Sequence, residues 1–151
     1  MNLTQLSGEV PQGAGSNPIS ADNIKNLGHA GQGHTMNISL GLLFYNNARG
    51  GCIIFSLEDP MSPRLLTTTN SGDCHDSYAQ NIDGKDILFS SDGYKGKWAI
   101  IDINNIRETN QFTKIGETSK QSGAYAHQSI ASKDGKTLFV FDEFNRFDMA
   151  S

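Results

Sequence analysis

Three of the four histidines stand at equivalent places in the chain. His34, His75 and His127 each open a segment that runs through small polar and apolar residues, turns at glycine, and continues as an apolar strand ending on Asn47, Asp92 or Asp142. Glu143 follows the last of these directly. An imidazole beside a carboxylate is an acid–base pair. Three imidazoles brought together suit zinc or another transition metal, with carboxylates as ligands or orienting partners. The same pairs also serve as buried hydrogen-bonded clips that fix a hairpin, since a buried imidazole needs a partner. Both readings stay open on the residues alone. A divalent ion, zinc or calcium, is the cofactor class they suggest, with His34, His75 and His127 as metal ligands and Asn47, Asp92, Asp142 and Glu143 as ligand-binding partners. His29 has no counterpart in the repeat and reads as a loop residue.

Other chemistry finds little support. GxSxG, HExxH and P-loop signatures are absent. Asp83-Gly-Lys and Asp134-Gly-Lys lack the ligand spacing of an EF-hand and read as turns. Cys52 and Cys74 have no zinc-type spacing; they are either separate thiols or, in an exported protein, a disulfide.

The elements that position the histidines follow from the turns. Asp83-Gly84 and Asp134-Gly135 are two-residue type I′ hairpin signals, and Leu40-Gly41 is a less distinctive third. Counting outward from each turn places His75 opposite Asp92, His127 opposite Asp142 and His34 opposite Asn47. Opposed residues share a sheet face with Cβ atoms about 4.5–5.5 Å apart. A third strand follows in two units, at 51–57 and 97–103, each nearly all apolar as suits burial on both faces. A fourth follows at 64–69 and 112–117, with Asp59-Pro60 and Ser62-Pro63 marking the turn before the first of these. Four strands per unit, repeated, predict an all-β chain: a partial β-propeller of about two and a half four-stranded antiparallel blades. The expected divisions are the end of a preceding blade with a long loop (1–28), blades at 33–70 and 74–118, and a half blade at 125–147. Within the first division, 1–6 and 23–28 read as strands and 7–21 as the loop. Trp98, Phe89, Phe139 and Phe141 are expected in the core between blades. A half blade leaves strand edges unpaired, so a fragment, a chain completed by a partner, or self-association through unfinished edges is expected.

A net charge of −4 with scattered Lys and Arg argues against nucleic acid. No apolar run approaches the roughly 18 residues needed to cross a bilayer, and residues 1–20 lack the pattern of a signal peptide. Taken literally, that places the chain in the cytoplasm.

His75-Asp76 with its Asp-Gly turn, Tyr125-Ala-His127-Gln128, Leu138 to Glu143, Gly51 to Leu57 with Asp59-Pro60 and Pro63, and Leu3-Thr4-Gln5-Leu6 together resemble the LVIVD-repeat propellers known as choice-of-anchor B proteins. The resemblance covers most of the chain but only the C-terminal part of such a propeller. It implies an exported or cell-surface parent and supplies no catalytic residues. The functional expectation is a non-enzymatic binding or scaffold module for an unknown protein or small ligand. The alternatives are a metal-dependent, hydrolase-like enzyme built on the His/Asp cluster and a truncated fragment with no function of its own.

Overall fold

The computed structural model describes residues 33–47, 50–69, 73–119 and 125–144. The readings at 1–28, including the proposed strands, the loop and His29, lie outside these residues, as does the end of the chain after 144.

Turn chemistry builds the first two sheets. Leu40 and Gly41 have φ of 54° and 69°, and Asp83 and Gly84 have 49° and 82°, so both turns have the positive φ that a type I′ turn needs at its two central positions. Leu is unusual in that region; the Arg107 guanidinium, which donates to the Leu40 carbonyl, holds this turn from outside. Strands β1 (Gly33–Ser39) and β2 (Leu42–Asn47) flank the first turn, followed by β3 (Gly51–Ser56) and β4 (Arg64–Thr68). Around the second turn lie β5 (Asp76–Ile82) and β6 (Lys85–Ser91), then β7 (Lys97–Asp102) and β8 (Thr113–Ser119). Each set forms a four-stranded antiparallel sheet in simple sequential order. The third pair, β9 (Ala126–Ala131) and β10 (Leu138–Asp142), forms a two-stranded sheet. The chain is therefore all-β among the described residues, in three antiparallel sheets. No helix there is long and apolar enough to cross a membrane.

The third turn departs from expectation. Gly135 has φ of 67°, but Asp134 is not in the left-handed region. The loop closes instead through Gly135 N–H to the Ser132 carbonyl at 2.9 Å and Ser132 N–H to the Thr137 carbonyl at 2.8 Å. The Asp134 carboxylate takes the Ser132 hydroxyl (2.6 Å) and the Lys136 N–H (3.2 Å), which stabilises the longer loop in place of a two-residue turn.

β3 is buried at every position, as its continuous apolar run predicts. One core lies between the first two sheets, where Leu42, Phe44, Ile54 and Leu66 meet Leu88, Ala99 and Ile101. A single helical turn absent from the sequence reading, α1 (Ile106–Thr109), follows β7. It seats Ile106 in that core at 0% exposure, and Asn110, with φ of 55°, ends it. Leu43, Ile53, Phe55 and Leu57 form a second cluster with Tyr45.

Of the four aromatics expected in the core, Trp98 and Phe89 are buried, whereas Phe139 and Phe141 are 53% and 52% exposed. The reason is what stands against each strand. β9 packs on β6 and β7, which carry Phe89 and Trp98, whereas β10 packs chiefly on β9 among the described residues.

On β8, Glu117 receives Lys114 (2.8 Å) and Lys97 (2.6 Å) on its two oxygens. The hydrogen bond from Lys114, then that from Lys97, holds its carboxyl down at about 2 against an ordinary 4.5. A depressed carboxyl contributes stability above its unfolded value and loses it as pH falls through the folded one. The group is exposed, so the contribution is below about 1 kcal/mol. Acid unfolding should show Glu117→Gln differing from the parent by this amount near neutrality, with the gap closing as pH falls from about 4.5 towards about 2.

Candidate functional site

Two of the three histidines occupy bulges. In β1, Gly33 pairs with Asn47 and Thr35 with Asn46, so His34 is an extra residue with no opposite number. In the third hairpin Phe141 pairs with Gln128 and Asp142 with Ala126, which leaves His127 extra in the same way. A bulge bends its strand and re-aims the side chain. At the first bulge, the Tyr45 ring lies over Gly33 where a Cβ would otherwise stand. His75 needs no bulge: it precedes β5, its N–H bonds the Ser91 carbonyl at 2.8 Å, and the β5–β6 register runs unshifted from the turn.

These shifts overturn two of the expected pairings. Asn47 is opposite Gly33, not His34. Asp142 is opposite Ala126, not His127, and its carboxylate takes the N–H groups of Tyr125 and Phe144, each at 3.0 Å. Asp92 is buried, and its Oδ1 accepts the Ser90 hydroxyl at 3.3 Å. The partners of His75 are other groups altogether.

His75 lies at the centre of the site. Its Nε2 is 3.1 Å from His34 Nε2, 2.8 Å from His127 Nδ1 and 3.5 Å from Glu143 Oε2. Its Nδ1 meets the Tyr125 hydroxyl at 3.0 Å. The three expected imidazoles thus do come together, bonded to one another rather than each to its own carboxylate. The compact group is His75, His127 and Glu143, whose ligand atoms lie within 4.8 Å of one another, and His34 reaches it through His75. Glu143 joins because β10 ends just before it and its N–H bonds the Tyr125 carbonyl at 3.0 Å, turning the chain back over the cluster. The His75 ring is buried, while Glu143 and His127 are 43% and 41% exposed, so the group opens to solvent on one side. Burial first, and the His34 ring second, lowers the pKa of His75 below the ordinary imidazole value. Burial likewise raises the Tyr125 phenol.

A second row of contacts lies one residue further along each unit. Thr35, Asp76 and Gln128 each follow a histidine. Thr35 Oγ1 donates to Asp76 Oδ1 at 3.1 Å, and Gln128 Nε2 donates to Asp76 Oδ2 at 2.8 Å. Asp76 Oδ1 also takes the Ser77 N–H (2.8 Å) and the Asn46 amide (3.2 Å). Asn46 is fully buried; its amide donates to Thr35 Oγ1 (2.8 Å) and its oxygen accepts Ser77 Oγ (2.7 Å) and the Cys74 thiol (3.3 Å). This seam joins all three hairpins and was missed from the sequence. The signal for it was the second column of the histidine alignment, where three polar residues follow the three histidines.

Cys52 and Cys74 are free, buried thiols. Burial and the neighbouring Cys52 push the Cys74 thiol well up, the opposite of what a thiolate nucleophile requires. No family model, curated protein or solved structure matches the chain.

Proposed function

We propose that the chain is a stretch of propeller-type repeat, similar to the LVIVD-repeat proteins, from an exported or surface-associated parent. Its role is that of a non-enzymatic binding module that holds a ligand or partner protein where the three hairpins meet. The observation carrying this reading is the pair of parallel contact rows, His34–His75–His127 and Thr35–Asp76–Gln128. Corresponding residues of successive units meet side by side, as expected where the inner strands of neighbouring blades surround a channel. The partly exposed His127 and Glu143 give that meeting point a polar surface on which to bind. The buried Cys74 thiol, its pKa raised by burial, is unsuited to nucleophilic catalysis.

A second reading has one observation behind it. Two imidazoles and a carboxylate in one compact group are a ligand set used by hydrolytic metal enzymes. A panel of ester, phosphoester, glycoside and peptide substrates, assayed with the parent and a His127→Ala/Glu143→Gln double variant, separates the two. The binding reading expects equal background in both proteins. Turnover in the parent that vanishes in the variant would replace it with the enzyme reading.

A further inference from the structure

The ligand chemistry of the cluster can be taken further, resting on the binding site just described. We propose that His75 Nε2, His127 Nδ1 and Glu143 Oε2 together bind a divalent transition-metal ion of the zinc class, with Tyr125 orienting the central imidazole.

A neutral imidazole carries one N–H and one acceptor nitrogen. With Nδ1 of His75 engaged by the Tyr125 hydroxyl at 3.0 Å, its single Nε2 position faces two further imidazole nitrogens at 2.8 and 3.1 Å and a carboxylate oxygen at 3.5 Å. Two imidazole nitrogens and a carboxylate oxygen thus crowd one nitrogen that has a single site for a proton or a cation. A cation at the point of convergence can be shared among them.

Geometry agrees with a metal ion. Ligands about 2.0–2.1 Å from a tetrahedral zinc stand about 3.3 Å from one another. The separations here are 2.8 Å between the two nitrogens and 3.5 and 3.9 Å from them to the carboxylate oxygen, so side-chain shifts of roughly half an ångström complete the set. Nitrogen-rich donors suit zinc, cobalt, nickel or copper and are wrong for calcium, which takes oxygen ligands. The Tyr125 hydroxyl supplies the partner that a ligating imidazole commonly finds on its other nitrogen, here by accepting the Nδ1 hydrogen. Three protein ligands leave a coordination position for an exchangeable group, and His34 stands beside His75 as a further nitrogen donor.

The test is calorimetric titration of the full chain, purified without a histidine tag, with Zn²⁺ alone and with Co²⁺ alone. The expected result is one ion per chain, with Co²⁺ giving the visible absorption of a four-coordinate site. Tyr125→Phe should weaken Zn²⁺ binding about tenfold. Glu143→Gln should weaken it at least as much, and His127→Ala should abolish it. His75 is buried and its removal risks the fold, so the partly exposed His127 and Glu143 carry the test, with circular dichroism confirming that these variants stay folded. Uptake below one ion per chain, or equal affinity in the parent and the His127→Ala/Glu143→Gln variant, would overturn the metal site. Such a failure differs from failure of the binding-module reading, which depends on substrate turnover and not on metal.

Discussion

Truncating Trp98 to alanine is expected to destabilise the protein by about 4 kcal/mol, the middle of the range for removing a buried aromatic. Trp98 is 2% exposed on β7, opposite Ser91, and its indole N–H donates to the Gln128 carbonyl at 3.1 Å. It therefore fills space in the second sheet and also fastens the third hairpin to that sheet. The truncation removes both and leaves a cavity that the surrounding strands cannot fully close. Phe141→Ala is the control. That ring is 52% exposed, so the same kind of truncation should cost less than about 1 kcal/mol. Urea unfolding of both variants measures the contrast: the midpoint should fall sharply for Trp98→Ala and barely for Phe141→Ala, with similar slopes. Equal losses would mean that Phe141 is covered in the folded protein, and with it the outer edge of β10.

The second large effect concerns Asn46. Replacing it with alanine should cost about 3 kcal/mol, because the change strips partners from groups that cannot regain water. The Asp76 carboxylate loses one donor, and the buried Ser77 hydroxyl and Cys74 thiol lose their nearest acceptor. Thr35→Ala removes a partly buried hydroxyl from the same seam and should cost about 1 kcal/mol. A double-mutant cycle between Asn46→Ala and Thr35→Ala should show coupling, since the two side chains share a 2.8 Å bond. Additive losses in denaturant midpoint would show that the seam acts as separate bonds and not as a network.

Much of the fold was legible from the chain itself. Positive φ at Asp83-Gly84 and burial throughout β3 follow from local steric rules and continuous apolar runs, which depend little on the rest of the molecule. The meeting of His34, His75 and His127 was also foreseeable, because repeated units place repeated residues at repeated positions. The departure of His34 from Asn47 and of His127 from Asp142 was not. Index counting from a turn assumes an unbroken ladder, and the extra residues at His34 and His127 break it in two of the three hairpins. A bulge inserts one residue into a strand that otherwise keeps its pattern, and sequence periodicity carries no mark of it.

The repeat of residues and the turn chemistry determined that this chain forms antiparallel hairpins with a histidine at the start of each. Only the tertiary structure decided which groups those histidines touch. It placed Tyr125 and Glu143 on His75, bonded Thr35 and Gln128 to Asp76, and left Phe139 and Phe141 uncovered. The physical reason is the range of the forces involved. Turn and strand preferences act over a few neighbouring residues, whereas contacts between units depend on how whole sheets stand beside one another, and a one-residue bulge is enough to redirect them.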